Sequence, residues 1–199
     1  MKEGRQLSIY PSESECLDIL NKAGCKRRII IHCCTVRVVV GEIIKRIPCD
    51  KDLVIAGALL HDIGRSRDHS ILHATIGADI ALEYRLPFEV SEIIRRHTGA
   101  GLDQQDIIEL NLPQGKYMPE TIEQKIVAHA DNMVSDNAVV THERSVGKLL
   151  MKGSPRGARR IEDLHKELSV LYGEDLDVIV SRIGEYPTIT GPCSVYLRK

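Results

Sequence analysis

A chain of 199 residues buries roughly 70% of its unfolded surface on folding, enough for a single core without disulfide or metal staples. Its composition, 43% hydrophobic and 28% charged with one Phe and no Trp, is that of a globular protein with an aliphatic core and few stacking platforms for bases. The net charge of -1 gives no basic footprint, which argues against extended nucleic-acid binding and leaves room for a small anionic ligand held by local charges.

The opening segment MKEGRQLSIYPSE carries no apolar signal region, and the run Leu53 to Leu60 is far too short to span a bilayer, so a cytoplasmic protein without a membrane partner is expected. Ser12 and Glu15 have the spacing of a capping box, and Cys16, Ile19 and Leu20 make an apolar stripe that ends at Gly24, predicting a short first helix. From about Lys26 to Ile47 apolar residues recur too densely for an alternating strand, and Pro48 stops the run, predicting a long helix that carries His32. Asp50 can cap a third helix, Lys51 to Ile63, whose centre LVIAGALL is apolar almost all round and belongs inside the bundle. His61 and Asp62 sit at its end.

Gly64 to Ser70 is polar and reads as a loop, followed by helices over Ile71 to Arg85 and Phe88 to His97, separated by Pro87. Gly99 and Gly101 terminate the second. Residues 102–119 read as an irregular excursion with a short helical stretch, Gln105 to Leu110, and Thr121 to Asp136 as a further helix. Lys148 to Arg160 gathers Lys148, Lys152, Arg156, Arg159 and Arg160 around two glycines and a proline, which predicts a basic, solvated linker. Helices near Arg159 to Tyr172 and Glu174 to Ile183 precede an extended tail, giving an all-α chain. The six cysteines, Cys16, Cys25, Cys33, Cys34, Cys49 and Cys193, contain no C-x-x-C pair, and Cys33 and Cys34 diverge by about 100° on a helix. They read as reduced, mostly buried apolar residues.

The chemistry lies in ionisable residues on apolar faces. His32 is in register with Val36, Val39 and Ile43, His97 follows Ile93 by one turn, and Asp131 is four residues after Val127 and three before Val134. Each alone also reads as a core histidine or a capped buried aspartate. Together, a buried carboxylate and several inward imidazoles point to a shared cation that offsets their desolvation. His61 and Asp62 diverge by about 100° and can reach one ion from two sides, or Asp62 can bridge two ions. The mixed N/O donor set suits manganese, iron, cobalt or nickel, one or two ions, rather than a calcium site built of oxygen alone.

His32, ALLHDIGR at Ala58 to Arg65, and KIVAHAD ending at Asp131 resemble the H…HD…D signature of the HD superfamily, and His61 to Gly64 is its HDIG form. LHATIGADI at Leu72 to Ile80 and IIRRHTGAG at Ile93 to Gly101 further resemble those HD hydrolases that bind a second metal through extra histidines. The similarity covers about residues 26–136 and is closest to a small archaeal HDIG-type group. It implies an HD-domain helical bundle forming one domain over residues 1–199, with a helical extension over about 148–199. It also implies His32, His61, Asp62 and Asp131 as ligands of a first metal, with Asp62 bridging to His73 and His97 at a second.

His69 lies one turn before His73 and is the alternative to it; Gly77, the i+4 neighbour of His73, favours His73 by allowing close approach. His129, His142 and His165 fall outside the motifs and read as structural or solvated. Among Arg65, Arg67, Arg95 and Arg96, Arg65 follows HDIG directly and is the candidate to act with Asp62 in catalysis. The implied reaction is hydrolysis of a nucleotide or related phosphate ester, whether phosphomonoester, phosphodiester or dinucleoside polyphosphate, by metal-activated water. No H-H-x-x-x-D-G-x-G-Y-P extension follows His97, which argues against a cyclic-dinucleotide phosphodiesterase. The alternatives are an HD-type di-iron oxygenase and a non-catalytic nucleotide- or RNA-associated module, and a homo-oligomer is left open.

Overall fold

The computed structural model describes residues 9–197; the first eight residues, which form part of the N-terminal segment read above, lie outside the described residues. Helix α1, Glu13–Lys22, opens with the expected capping box. Ser12 Oγ accepts from the Glu15 N–H at 3.4 Å while the Glu15 carboxylate accepts from the Ser12 N–H at 2.8 Å. Gly24, at φ +84°, takes the chain out of it. Helix α2, Arg27–Ile43, stops short of the expected Ile47, because Pro48 disfavours helical geometry at the residue before it and the last turn loosens. Helix α3, Lys51–Leu60, is capped by the Asp50 side chain, and seven of its ten residues are buried, so it forms the axis of the bundle.

The third helix also ends earlier than expected, at Leu60 rather than Ile63, and the predicted loop begins with a 3-10 turn over Ile63–Ser66. The cause is a close crossing. A Cβ on Gly64 would stand 1.9 Å from the His73 carbonyl oxygen and 2.6 Å from the Gly77 N, so the main chain must leave the helix here to lie against the next one. That next helix is α4, His73–Glu83, which packs on α5, Phe88–Arg96. The excursion after it holds α6, Gln104–Glu109, over a small apolar cluster of Ile107, Leu112 and Tyr117.

Helix α7, Ile122–Asn132, starts at a Thr121–Gln124 capping box and ends four residues before the expected Asp136. The remainder is a hairpin, β1 Val134–Ser135 against β2 Ala138–Val139, turned by Asp136 at φ +57° and Asn137. Asp and Asn tolerate such turn geometry, which is why the periodicity alone overran it.

The expected linker over Lys148 to Arg160 is largely helical. It comprises the end of α8, Glu143–Met151, and the start of α9, Pro155–Tyr172, in which Pro155 occupies the first turn where its missing N–H costs nothing. Two of its arginines are held by carboxylates, while Arg159 is exposed. Arg156 pairs with Asp106 and Glu109, and Arg160 with Asp103 and Asp106, pinning the start of α9 onto α6. Helix α10, Val178–Ile183, follows, and the tail expected to be extended closes in a 3-10 segment, Gly191–Leu197.

The protein is therefore a helical bundle with one minimal hairpin among the described residues. Its main core runs from Cys16 to Cys193 and draws on α1, α2, α3, α5, α7 and α9. All six cysteines are free, five of them buried and Cys49 partly so. Among the described residues no helix is long and apolar enough to cross a membrane.

Candidate metal centre

Four histidines and two aspartates converge where α2, α3, α4, α5 and α7 meet. His32 lies on the α2 face that carries the buried Val36, Val39 and Ile43. His61 and His97 stand at the C-terminal ends of α3 and α5, where the last carbonyls have no helical N–H partner. The rings use those carbonyls. His61 Nδ1 donates to the Ala58 oxygen at 2.7 Å and His97 Nδ1 to the Ile94 oxygen at 2.7 Å. His73, first residue of α4, does the same with the Ser70 oxygen at 2.6 Å, and His32 Nδ1 donates to the Asp136 oxygen at 2.8 Å.

A carbonyl can only accept, so each of these contacts fixes the proton on Nδ1 and leaves Nε2 of a neutral ring as a bare lone pair. All four Nε2 atoms face inward. His32 and His61 approach Nε2 to Nε2 at 3.2 Å, and His73 and His97 also at 3.2 Å. Two lone pairs at that distance repel unless a proton or a cation lies between them.

The carboxylates organise these nitrogens into two groups. Asp131 Oδ1 lies 2.9 Å from His32 Nε2 and 3.5 Å from His61 Nε2, with Asp62 Oδ2 3.9 Å from each ring. On the other side, Asp62 Oδ1 lies 3.3 Å from His73 Nε2 and 3.6 Å from His97 Nε2. Asp62 thus turns one oxygen to each group. Its Oδ1 is buried with no hydrogen-bond partner, a costly state for a carboxylate that an ion in contact with it would relieve. His32, His61, Asp62 and Asp131 could hold one divalent ion, and Asp62, His73 and His97 a second. These residues fit such a group by donor chemistry as well as by the orphaned oxygen.

The electrostatics agree. Burial would raise the Asp62 carboxyl, yet the neighbouring imidazoles of His61 and His97 hold it well below the usual carboxylate range. Burial likewise opposes ionisation of Asp131, and His61 and His32 overcome it. His32 shows the converse demand: burial lowers it, but the hydrogen bond to Asp131 and the charges of Asp131 and Asp62 carry it up to about 9. In His73, burial and then the neighbouring His97 bring the pKa down to about 4, so this ring is neutral at pH 7 and in the form that binds a metal.

His69 is exposed and stays out of the cluster; its main-chain oxygen lies 3.5 Å from Arg65 Nη1. Arg65 Nε donates to Asp62 Oδ2 at 2.6 Å, so this arginine reaches the centre directly. The other three candidates are engaged elsewhere, Arg67 with Glu83, Arg95 with Asp79 and Glu92, and Arg96 with Glu92 and Glu120. His129, His142 and His165 form a separate group.

The centre opens into a cleft of about 590 Å³ whose wall adds Arg28, which sequence reasoning did not name as a site residue, and Lys148, which it assigned to a solvated basic linker. A second cavity of about 970 Å³ shares Arg65 and His69 with it, reaches His73 and runs along Ile71, Leu102 and Leu149. Arg28 lies one turn before His32 on α2, a spacing that could have exposed it. Lys148 arrives from α8 and leaves no such signal.

The HD domain family model matches residues 29–136. The chain is 43% identical over 179 residues to a tRNA (cytidine(56)-2'-O)-methyltransferase of Picrophilus torridus, an alignment that covers 90% of this chain and 52% of the relative. It therefore spans about half the length of that protein. It is 39% identical over 136 residues to an uncharacterized protein of Methanocaldococcus jannaschii, covering 62% of this chain and 80% of the other. Among solved structures it resembles the HD domain of the Listeria monocytogenes phosphodiesterase PgpH at 18% identity and a TM-score of 0.48, over 78% of this chain and 97% of that one.

Proposed function

Because the chain belongs to the HD-domain family, we propose that it is a metal-dependent phosphohydrolase acting on a nucleotide or related phosphate ester. In this reading His32, His61, Asp62 and Asp131 hold a first ion, and Asp62, His73 and His97 a second. The observation that carries it is the convergence of four carbonyl-locked imidazoles, Nε2 inward, on two ionised carboxylates.

A divalent ion bound there supplies Lewis-acid polarisation of water and of phosphoryl oxygens. The chain's own residues do the rest. The main-chain carbonyls keep the imidazoles in one tautomer, and Asp62, held ionised, accepts from Arg65 while facing both histidine groups. Arg65 keeps guanidinium N–H groups beside the centre for a non-bridging phosphate oxygen. Arg28 and Lys148 add positive charge across the cleft, and the larger cavity, within the size range of small-molecule sites, accommodates the organic part of the ester. Residues 137–197 supply Lys148 and much of that second wall, which supports treating the chain as one functional unit.

A panel of nucleoside monophosphates, short phosphodiesters and dinucleoside polyphosphates, each offered with manganese, iron, cobalt and nickel under anaerobic conditions, tests the reading. Phosphate or nucleoside release supports it. Turnover that requires oxygen and iron replaces it with the oxygenase reading. One further reading has an observation of its own, since the relative 43% identical to this chain bears a tRNA-modifying name. If the chain binds RNA and hydrolyses nothing in the panel, an RNA-associated module is the better description.

A further inference from the structure

Three histidines outside the HD motifs are not scattered over the surface. His129 of α7, His142 just before α8 and His165 of α9 gather beside Asp177, the residue that precedes α10. His142 Nδ1 donates to Asp177 Oδ2 at 2.9 Å and the His142 main-chain N–H to Asp177 Oδ1 at 3.0 Å, so the carboxylate is gripped at both oxygens. The His142 and His165 rings stack, centroids 3.6 Å apart and planes 13° from parallel. His165 Nδ1 meets His129 Nε2 at 3.1 Å, and His165 Nε2 lies 3.2 Å from Asp175 Oδ1.

Hydrogen bonds alone leave this group incomplete. His129 Nδ1 is buried with no partner, and stacked imidazoles repel once both carry charge. Burial and the proximity of His142 lower His165, favouring its neutral form. Yet Asp175 and Asp177 bring negative charge to the same edge, and the Asp175 side chain is 71% exposed, so the group is reachable from solvent. One donor atom each from His142, His165 and Asp177 lies within 4.8 Å of the other two. His129 stands where the outer hydrogen-bond partner of a metal-bound imidazole is commonly found.

We propose that His142, His165 and Asp177 form a second cation site, separate from the HD centre, that takes a borderline divalent ion such as zinc. All three lie outside the residues 29–136 matched by the family model, and none belongs to the HD motif. The N, N, O donor set is one that zinc accepts, with water completing a four-coordinate shell. An ion there ties the starts of α8 and α10 to the middle of α9, so its effect is read in stability.

The test compares the full chain with the same chain carrying His142→Gln and Asp177→Asn, both stripped with chelator and dialysed against zinc. Both proteins keep the HD centre, so the difference between them isolates the second site. Elemental analysis should find about one equivalent less zinc in the double variant, with loss of a zinc-dependent rise in melting temperature that the unaltered chain shows. Equal zinc content in the two proteins overturns the site. Should the double variant fail to fold, Asp177→Asn alone decides, since Asn retains an acceptor for the His142 ring N–H. Zinc binding at least about tenfold weaker supports the site and unchanged binding overturns it.

Discussion

The chain contains two groups of histidines built in different ways. In the HD centre every imidazole gives its Nδ1 proton to a main-chain carbonyl, three of them to the residue three positions earlier. In the C-terminal group the ring nitrogens that have partners meet side chains, among them Asp177, Asp175 and a facing imidazole. A main-chain carbonyl neither titrates nor swings away, whereas a carboxylate at the surface does both. The first group is therefore pre-organised for a cation by the fold itself, while the geometry of the second depends on the state of its own side chains.

The largest effect expected from breaking this contrast is at Asp62, the residue shared by both halves of the HD centre. Asp62→Ala should bring turnover to background, a loss of at least about a hundredfold, and lower the bound transition metal from about one to two equivalents, as read by elemental analysis. The chain must be shown to be folded by circular dichroism, because the change leaves imidazoles and Arg65 facing a void. Full metal content and activity in a folded Asp62→Ala protein would remove the centre as described.

Next comes the backbone crossing that holds the two halves together. Gly64→Ala places a methyl group 1.9 Å from the His73 oxygen, where no flexible side chain can yield, so either the HDIG turn or α4 must shift. Destabilisation of about 3 kcal/mol or more is expected in denaturant unfolding. Gly99→Ala is the contrast on the far side of the centre: nothing lies within 4 Å of its added Cβ, and only its positive φ of +59° costs energy, about 1 kcal/mol. Equal losses at the two positions would show that the crossing is not what sets the geometry.

How far the sequence carried this picture follows from the same physics. His32, His97 and Asp131 were legible because an ionisable residue in register with buried aliphatics has few uses, and the HDIG run named His61 and Asp62. Helix starts were legible where a capping side chain marks them, at Ser12, Asp50 and Thr121. Helix ends were not, since Ile63 and Asp136 continue the apolar or polar period although the chain has already turned, at Gly64 for a crossing and at Asp136 for a hairpin. Lys148 in the cleft and the meeting of His142, His165 and Asp177 depend on how α8, α9 and α10 return to the bundle. No local spacing encodes that. The basic stretch was misjudged as a linker because Pro155 and Gly157 look like breakers, while the carboxylates that hold it, Asp103, Asp106 and Glu109, lie some fifty residues away.

A finer distinction concerns the two ion positions. His73→Ala should lower turnover by about tenfold to a hundredfold, or change which metal supports it, since His73 contacts only the Oδ1 side of Asp62. His69→Ala, at an exposed position on the cleft wall outside the His and Asp cluster, should leave metal content unchanged and turnover little altered. Steady-state rates with each metal and metal analysis of both proteins check the pair. The reverse outcome, His69→Ala losing metal while His73→Ala keeps it, would move the second position by one helical turn.

The smallest effect separates what the backbone fixes from what a side chain adds. Arg65 Nε lies 2.6 Å from Asp62 Oδ2, yet 29% of the Arg65 side chain remains exposed, so this pair contributes less to folding than its length implies. Arg65→Lys keeps the positive charge but loses the planar fork that can hold Asp62 with one N–H and a phosphate oxygen with another. Metal content should therefore be unchanged, because the six His and Asp side chains of the centre are intact. The value of kcat/KM for a phosphate ester should fall by about tenfold, the size expected for one lost charge-assisted hydrogen bond. The split between kcat and KM then tells where the arginine acts: a fall in kcat places its contact in the transition state, and a rise in KM alone places it in substrate binding. If Arg65→Lys instead lost metal along with activity, its main task would be to hold Asp62 in place, and the carbonyl-locked imidazoles would not be sufficient by themselves to organise the centre.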